Sequence, residues 1–320
     1  MKMKTALIAL WIFLLWLPQS VSAEALIPVG EVIGLELQEG RVIVAGFDDA
    51  LGRDTMAAGI QVGDEIRTID EMPVHSAEDV REALNHSRGL VTLGILRDGA
   101  ETVIRVSPQI TADGPRLGLL LRQGVTGIGT VTWYDSESGR FGALGHGVNN
   151  SDGALVDMTA GTAFSAKVQS VKQGKVGQPG QLVGAVTDPK AVGFLDKNTG
   201  CGIFGTSEAG WEGEPLPVGG EDSVHMGDAV IRSTVCGETT RDYSVTILKI
   251  YAGDRPDGRN MLIRVTDPAL LEATGGIVQG MSGSPIIQDG KLIGAVTHVL
   301  VNQPDTGYGI FIENMLQAAG

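Results

Sequence analysis

From residue 111 to the C-terminus, the chain consists of short strand-like runs separated by glycine, aspartate and asparagine. Apolar and β-branched runs such as GIGTVTWYD, QLVGAV, SVTILKIY and NMLIRVTD follow one another closely, and long amphipathic helical patterns are scarce. The 46 glycines among 320 residues fit a chain that turns often. This pattern favours a mainly β fold, a barrel or a sandwich, over an α/β sheet.

The first residues are predicted to be a targeting segment rather than part of the fold. Two lysines precede an apolar run at residues 6–17, and the small-residue stretch VSA follows at residues 21–23. This order is typical of a secretory signal peptide, and the apolar run is short for a membrane-spanning helix, which needs about 20 residues. We therefore predict that residues 1–23 form a signal peptide or N-terminal membrane anchor and that the protein is exported.

Charge and cysteine content exclude several classes of partner and cofactor. The formal net charge of −14 argues against nucleic acid or an anionic membrane surface as a main partner. The chain has two cysteines and no HExxH or CxxC motif, so we predict no metal site and no cofactor. Cys201 and Cys236 either form one disulfide in the exported protein or are buried small apolar residues.

Residues 26–110 have the pattern of a small α/β domain with one helix on an antiparallel sheet. Ser76 is a predicted N-cap with Asp79 at the third helical position, and Val80 and Leu84 then fall on one helical face. The run VTLGILRDGAETVIRVSP is a predicted hairpin that turns at an Asp-Gly pair.

Within this stretch, AAGIQVGDEIRTIDEMPV resembles the corresponding segment of bacterial PDZ domains. The resemblance implies a groove in which an extended peptide adds as a strand beside the helix. Val80 and Leu84 would line that groove, and Ile33, Gly34 and Leu35 would form the loop that receives a peptide carboxylate. The alternative is that the domain packs rigidly against its neighbour and binds nothing.

The run GMSGSP lies between two strand-like stretches and places Ser282 among glycines. Catalysis of acyl transfer requires an exposed nucleophile with backbone N–H groups directed at the developing oxyanion, and glycine permits such a backbone. His146, in Gly145-His146-Gly147, is the predicted general base. His298 follows in AVTHVLV, where strand alternation decides whether it faces the core or a cleft.

Three stretches of residues 111–320 closely resemble the SpoIVB peptidase family of endospore-forming bacteria. They are FGALGHG, RVTDPALLEATGGIVQGMSGSPIIQDGKLIGAVTHV and GYGIFIENML, downstream of the PDZ-like stretch. The resemblance implies a chymotrypsin-like double β-barrel and an exported serine endopeptidase in the forespore intermembrane space. Its partner would be a membrane-bound sporulation regulator, whose cleavage permits sigma-factor activation, and self-cleavage is a trait of the family.

The family's motifs, carried onto this chain, mark Ser282 as nucleophile and His146 as base. By analogy with double-barrel enzymes, the N–H groups of Gly280 and Ser282 would form the oxyanion hole. Asp267 matches the family's candidate acid. The acids Asp157 and Asp196 fit the chain order of double-barrel enzymes better, and the hydroxyl of Thr297 is a further candidate for orienting the imidazole.

Two further functions remain open at the level of sequence. One is a PDZ scaffold whose β domain is catalytically inactive and acts by binding. The other is esterase or amidase action on a small substrate, which would use the same catalytic groups in a closed apolar pocket. The preferred side chain before the scissile bond and the oligomeric state are not indicated by the sequence.

Overall fold

The computed structural model describes residues 25–150, 153–253, 255 and 258–320. The predicted export segment lies outside them, and none of the described helices is long and apolar enough to cross a membrane. Within the described residues the chain is mainly β, as predicted. The strands are β1 (Ala25–Pro28), β2 (Val32–Phe47), β3 (Glu65–Ile69), β4 (Met72–Pro73), β5 (Val91–Arg97), β6 (Ala100–Val106), β7 (Gln109–Thr111), β8 (Gly114–Arg116), β9 (Leu119–Tyr134), β10 (Arg140–Ala143), β11 (Met158–Lys172), β12 (Gln181–Thr199), β13 (Gly202–Thr206), β14 (Leu216–Pro217), β15 (Gly227–Cys236), β16 (Thr239–Ile250), β17 (Met261–Val265), β18 (Pro285–Gln288), β19 (Lys291–Leu300) and β20 (Gln303–Phe311). The α-helices are α1 (Arg53–Ala57), α2 (Ala77–His86), α3 (Pro268–Thr274) and α4 (Ile312–Ala319), and a 3-10 helix spans Glu221–Ser223.

The last six strands close into a barrel, which we call barrel 2. Their order around the barrel is β15-β16-β17-β20-β19-β18, and β18 pairs with β15 to complete the ring. Every neighbouring pair is antiparallel. Alternate side chains point inward, so that Ile231, Ile263 and Val296 lie in a fully buried apolar core. Closure leaves no edge strand in this sheet.

A second ring of six antiparallel strands, barrel 1, lies earlier in the chain. Its order is β2-β9-β10-β13-β12-β11, and β11 pairs with β2 to close it. Phe141 and Ile203 are fully buried in its core. When the strands of each barrel are numbered from one to six along the chain, both rings have the order 1-2-3-6-5-4. The predicted double β-barrel is therefore confirmed by the pairing of the strands.

Between β2 and β9 the chain forms a unit of one main helix on a small antiparallel sheet, which we call the inserted unit (residues 41–121). The second half of β2 pairs with β3, and β5 and β6 extend this sheet. Helix α2 begins as predicted, because the Ser76 side chain accepts from the Asp79 N–H and the Asp79 carboxylate accepts from the Ser76 N–H. The hairpin of β5 and β6 turns as predicted at Asp98 and Gly99, whose φ angles are 49° and 78°.

The predicted N-terminal limit of the small domain requires correction. Residues 25–38 pair with β9, β11 and β14, so they belong to barrel 1 rather than to the helix-containing unit. The reason is that β2 and β9 are each 16 residues long and contribute one part to barrel 1 and the other to the inserted unit. A local sequence pattern does not reveal that one strand serves two structures.

Candidate active site

Ser282 lies on the loop that joins α3 to β18, and this loop is packed between the two barrels. The Thr130 side chain of β9 donates to the Gly280 carbonyl at 2.7 Å, and the Thr130 N–H donates to the Ser282 carbonyl at 3.1 Å. Met281 is fully buried in the core of barrel 2. The loop is therefore held by barrel 1 on one side and by barrel 2 on the other.

Glycine at position 283 is required by the closeness of this packing. Gly283 has a φ of +96°, and a β-carbon there would lie 2.0 Å from the Thr130 carbonyl oxygen and 2.5 Å from the Leu144 nitrogen. Both of these atoms belong to the backbone of barrel 1, so neither can move aside as a flexible side chain would. The glycine thus permits the nucleophile loop to approach the neighbouring barrel.

Only some of the backbone N–H groups of the loop are hydrogen-bonded to carbonyls. Met281 donates to the Val278 carbonyl, Gly283 to the Val296 carbonyl and Ser284 to the Met281 carbonyl. Within the part of the chain that the structure describes, the N–H groups of Gly280 and Ser282 have no such acceptor. These are the two N–H groups that the sequence predicts for an oxyanion hole, and both residues line one cavity.

The half-buried Ser282 hydroxyl is hydrogen-bonded to the backbone. Its Oγ donates to the Thr297 carbonyl at 2.7 Å. The Thr297 hydroxyl itself donates to the carbonyls of Gly258 and Tyr308, both at 3.3 Å. The Thr297 hydroxyl is therefore bonded to backbone carbonyls and not to the imidazole that it was a candidate to orient. The Thr297 carbonyl, in contrast, positions the serine hydroxyl.

His146 follows β10 through a tight turn in which Leu144 and Gly145 have φ angles of 69° and 68°. The imidazole Nδ1 lies 2.8 Å from the Gly147 carbonyl oxygen. Because a carbonyl only accepts, Nδ1 carries the proton of this bond, and the neutral ring has its lone pair on Nε2. Burial lowers the pKa of His146 below its ordinary value of 6.5, and the bond to Gly147 partly opposes this effect.

One cavity of about 510 Å³ contains Ser282, His146 and a second imidazole, that of His298. The rings of His146 and His298 have centroids 5.2 Å apart and planes inclined by 38°. In a regular strand the neighbours Thr297 and His298 would point to opposite faces. The register of β19 is irregular between Val296 and His298, and as a result Thr297 and His298 both line the cavity. Such an irregularity redirects a side chain, and it cannot be recognised in the sequence AVTHVLV.

The rest of the cavity wall is mostly aliphatic. Among the described residues that line it there is no aspartate, glutamate, lysine or arginine. The aliphatic lining residues are Leu35, Leu37, Val125, Ile128, Leu144, Val148, Ile277, Val278 and Val299. The cavity thus combines a few polar groups with an apolar surface, as is common in binding pockets.

Asp267 is a helix cap in this structure. Its Oδ1 accepts from the N–H groups of Ala269 and Leu270, and it precedes Pro268 at the start of α3. It does not line the cavity that contains His146. The structure therefore does not bring Asp267 to the imidazole, whose Nδ1 is already bonded to its neighbour's carbonyl.

The other two candidate acids also lie outside the cavity. Asp157 is exposed, and Asp196 forms an ion pair with Arg140 on the outer surface of barrel 1. In this structure the group bonded to Nδ1 of His146 is the Gly147 carbonyl. Such a partner cannot be recognised in a sequence, because any residue supplies a carbonyl.

The predicted peptide-binding residues separate into two places. Val80 and Leu84 line a groove of about 570 Å³ beside α2, together with residues 117–121. Ile33, Gly34 and Leu35 pair with β9 and β11 in barrel 1, and Leu35 lines the cavity that contains Ser282. The prediction that these three residues form a carboxylate-binding loop beside α2 is therefore wrong, because they lie in the barrel half of β2.

Neither of the two cysteines, nor any cluster of three or more metal-ligating side chains among the described residues, contributes to the site. Cys201 and Cys236 are not joined by a disulfide. Among the described residues no group of three or more histidine, cysteine, aspartate or glutamate side chains is arranged to hold a metal ion.

Comparison with known proteins gives a family and distant structural likenesses, two of which follow. The chain matches no curated protein. It is similar to a crystal structure of the Rv3671c protease in an inactive form, with 15% identity and a TM-score of 0.36, over 61% of this chain and 82% of that one. A serine-to-alanine mutant of Rv3671c from M. tuberculosis H37Rv, also an inactive form, has 18% identity and a TM-score of 0.33, over 61% and 80% of the two chains. At these scores the likenesses indicate nothing further about this chain.

The family model matches a larger and contiguous part of the chain. The model is that of the SpoIVB peptidase S55, and it covers residues 114–316, which include both predicted catalytic residues, His146 and Ser282. The matched segment begins just before β9 and runs through the remaining strands of both barrels. The chain belongs to the SpoIVB peptidase S55 family, and it is a serine peptidase.

Proposed function

We propose that the protein is an exported serine endopeptidase of sporulation signalling in which Ser282 is the nucleophile and His146 the general base. The observation that carries the proposal is that Ser282 and His146 line one cavity together with Gly280, and that the N–H groups of Gly280 and Ser282 have no backbone acceptor among the described residues. The substrate is a membrane-bound regulatory protein, whose cleavage permits sigma-factor activation. This last step rests on the resemblance to the family and on the export segment.

In the proposed mechanism, the neutral His146 accepts the hydroxyl proton of Ser282 on Nε2. The Gly147 carbonyl supports this role because it holds the proton on Nδ1 and stabilises the imidazolium that forms. The serine hydroxyl first rotates away from the Thr297 carbonyl. Its oxygen then attacks the scissile carbonyl, and the peptide C–N bond breaks as His146 returns the proton from Nε2 to the departing amine. The acyl-enzyme that remains is hydrolysed by water.

The tetrahedral intermediate carries a negative charge on the former carbonyl oxygen. The N–H groups of Gly280 and Ser282 are the proposed donors to this oxyanion. Loss of one such donor costs about 3–4 kcal/mol of transition-state stabilisation in serine peptidases of known mechanism. The fixed backbone of the loop, anchored by Met281 and Thr130, keeps these donors in place before substrate binds.

The apolar cavity wall also indicates which side chain the enzyme accepts. Since no ionised side chain lines the cavity among the described residues, a charged substrate side chain would be desolvated without a partner. We therefore propose that an apolar side chain occupies it when Ser282 attacks. An amide or ester of a small molecule would fill the same space, so only cleavage of a protein substrate separates the two activities.

A fluorophosphonate probe tests the proposed catalytic pair. We expect the wild-type protein to be labelled at Ser282, and the Ser282→Ala and His146→Ala variants to lose labelling and peptide cleavage. Matched controls are Ser244→Ala and His225→Ala, which change an exposed serine and an exposed histidine outside the cavity. Labelling elsewhere, or cleavage that persists in both catalytic variants, would refute the assignment of Ser282 and His146. Absence of both labelling and cleavage in the wild-type protein would instead favour the inactive scaffold.

A further inference from the structure

The imidazole rings of His146 and His298 lie side by side in the cavity that Ser282 lines. Both side chains are half-buried, both line the cavity with Ser282, and their ring centroids are 5.2 Å apart. The proposed reaction uses only His146. The role of the second imidazole is therefore a separate question.

The spacing of the two rings agrees with a shared metal ion. A zinc–nitrogen bond of about 2.0–2.1 Å places each ring centroid roughly 3.2 Å from the metal. Two imidazoles at the tetrahedral angle then have centroids about 5.2 Å apart. The separation of His146 and His298 is the same, so the spacing of the rings suits a bridging zinc ion.

The hydrogen bond of His146 leaves the nitrogen that a metal requires. Nδ1 of His146 is bonded to the Gly147 carbonyl, and Nε2 carries the lone pair. Ligating histidines commonly make such a bond from their second nitrogen, since it fixes the tautomer and the ring orientation. His298 extends from the irregular segment of β19 and lines the same cavity as His146.

The composition of the site selects both the kind of metal and the strength of binding. Imidazole favours Zn²⁺, Cu²⁺, Ni²⁺ and Co²⁺, whereas Mg²⁺ and Ca²⁺ prefer oxygen ligands. Because no cluster of three or more ligating side chains exists among the described residues, water or the Ser282 hydroxyl would fill the remaining positions. Such an incomplete protein ligand set favours reversible binding over a permanent structural ion.

We propose that His146 and His298 form a binding site for Zn²⁺ or a similar divalent transition-metal ion, and that the bound ion reversibly blocks Ser282 chemistry. The ion occupies the Nε2 lone pair with which His146 would accept the serine proton. Binding itself is independent of the catalytic assignment, while the inhibition rests on the proposed function. His298 thus acts as the second ligand that makes the catalytic imidazole sensitive to the metal.

Calorimetric titration of tag-free wild-type protein with zinc chloride tests the binding. We expect one Zn²⁺ per chain, and His298→Ala and His146→Ala should each weaken binding by at least about tenfold. His225→Ala is the matched control, because His225 and Asp289 form an exposed pair where zinc would bind adventitiously. Magnesium chloride should give no heat of binding at this site.

Two further measurements keep the result decisive. Circular dichroism establishes that each variant is folded, and His298→Gln replaces His298→Ala if the latter is not. Visible absorption of wild-type protein with Co²⁺ should show the intense bands of a near-tetrahedral ion, which Zn²⁺ displaces. Absence of stoichiometric zinc binding, or binding unchanged in folded His298 variants, would overturn the proposal.

The inhibitory effect has its own readout. Zinc should slow fluorophosphonate labelling of wild-type protein, EDTA should restore it, and labelling of His298→Ala should respond at least about tenfold less. If the probe never labels Ser282, the catalytic assignment fails while the calorimetric result still stands. If labelling proceeds normally in saturating zinc, the inhibition is refuted and the catalytic assignment stands.

Discussion

At the scale of single residues, the site depends on backbone groups as much as on side chains. The Gly147 carbonyl determines the tautomer of His146, and the Thr297 carbonyl holds the Ser282 hydroxyl. The two proposed oxyanion donors are backbone N–H groups of Gly280 and Ser282, which line the same cavity. Backbone groups are fixed once the barrels have formed, so they need no reorganisation when charge develops.

The lowered pKa of His146 predicts how the rate of labelling at Ser282 depends on pH. Burial disfavours the imidazolium, so the catalytically competent neutral form persists below pH 6.5 and is lost only as the pH falls through the lowered pKa. We expect the rate of fluorophosphonate labelling, measured with EDTA present, to rise with pH through a midpoint below 6.5. His225→Ala should show the same midpoint, although Asp289 raises the pKa of His225. A midpoint above 6.5 would contradict the buried position of His146.

Replacement of Gly283 tests how closely the nucleophile loop approaches barrel 1. Gly283→Ala adds a β-carbon 2.0 Å from the Thr130 carbonyl oxygen, whereas Gly290→Ala meets no atom within 4 Å at a similarly positive φ. Both variants carry the cost of a left-handed alanine, about 1–2 kcal/mol. We expect Gly283→Ala to lower the free energy of unfolding by about 1–3 kcal/mol more than the control. Equal urea midpoints for the two variants would show that the loop has room to shift.

At the scale of elements, each proposed catalytic group lies at the end of a strand or in a loop between strands. His146 follows β10 of barrel 1, and Ser282 precedes β18 of barrel 2. The site therefore forms only when both barrels are folded and packed together, although 136 residues separate the two side chains in the sequence. The aliphatic cavity wall is likewise contributed by strands of both barrels.

The role of Asp267 as the cap of α3 has a measurable consequence. Asp267→Ala should lower the free energy of unfolding by about 1 kcal/mol, because the N–H groups of Ala269 and Leu270 lose their acceptor. Asparagine caps helices about as well as aspartate, so Asp267→Asn should unfold at nearly the wild-type urea concentration. We expect probe labelling to follow stability in both variants. A folded Asp267→Asn protein that has lost labelling would show that the carboxylate charge acts on the imidazole.

The sequence predicted those parts of the structure that depend on local chemistry. The Ser76 cap, the Asp98-Gly99 turn, the strand-rich C-terminal part and the glycine-flanked Ser282 all follow from residues close together in the chain. The parts that it did not predict depend on distant pairing. Ile33 to Leu35 lie in barrel 1 because β9 and β11 flank them, and His298 reaches the cavity because β19 is irregular.

At the scale of the whole molecule, the inserted unit has a groove of its own, at which we propose that an extended peptide binds. Its groove lies beside α2, and Leu120 is 55% exposed at its wall. The active-site cavity is formed by other residues, so the two places can be altered separately.

Altering the groove should affect a protein substrate more than a short peptide. Leu120→Asp places a charge in the apolar groove and should weaken docking of an extended segment, while a short peptide that reaches only Ser282 should be cleaved at the wild-type rate within about twofold. Leu90→Asp is the matched control, because Leu90 is 60% exposed in the same unit and does not line the groove. Equal losses on both substrates would indicate that the inserted unit acts as structural support.

The long strands β2 and β9 run without a break from the inserted unit into barrel 1. The two parts are therefore not joined by the hinge that normally separates a recognition domain from a catalytic one. Leu119 to Leu121 line the groove, and Val125, Gly127 and Ile128, a few residues further along the same strand, line the active-site cavity. No linker lies between them, and the Asp48 N–H still bonds to the Gly118 carbonyl just beyond the ends of β2 and β9 in the inserted unit. The inserted unit is therefore not a module that can be transplanted between enzymes, since its removal would also cut β2 and β9, two strands of the barrel that carries His146.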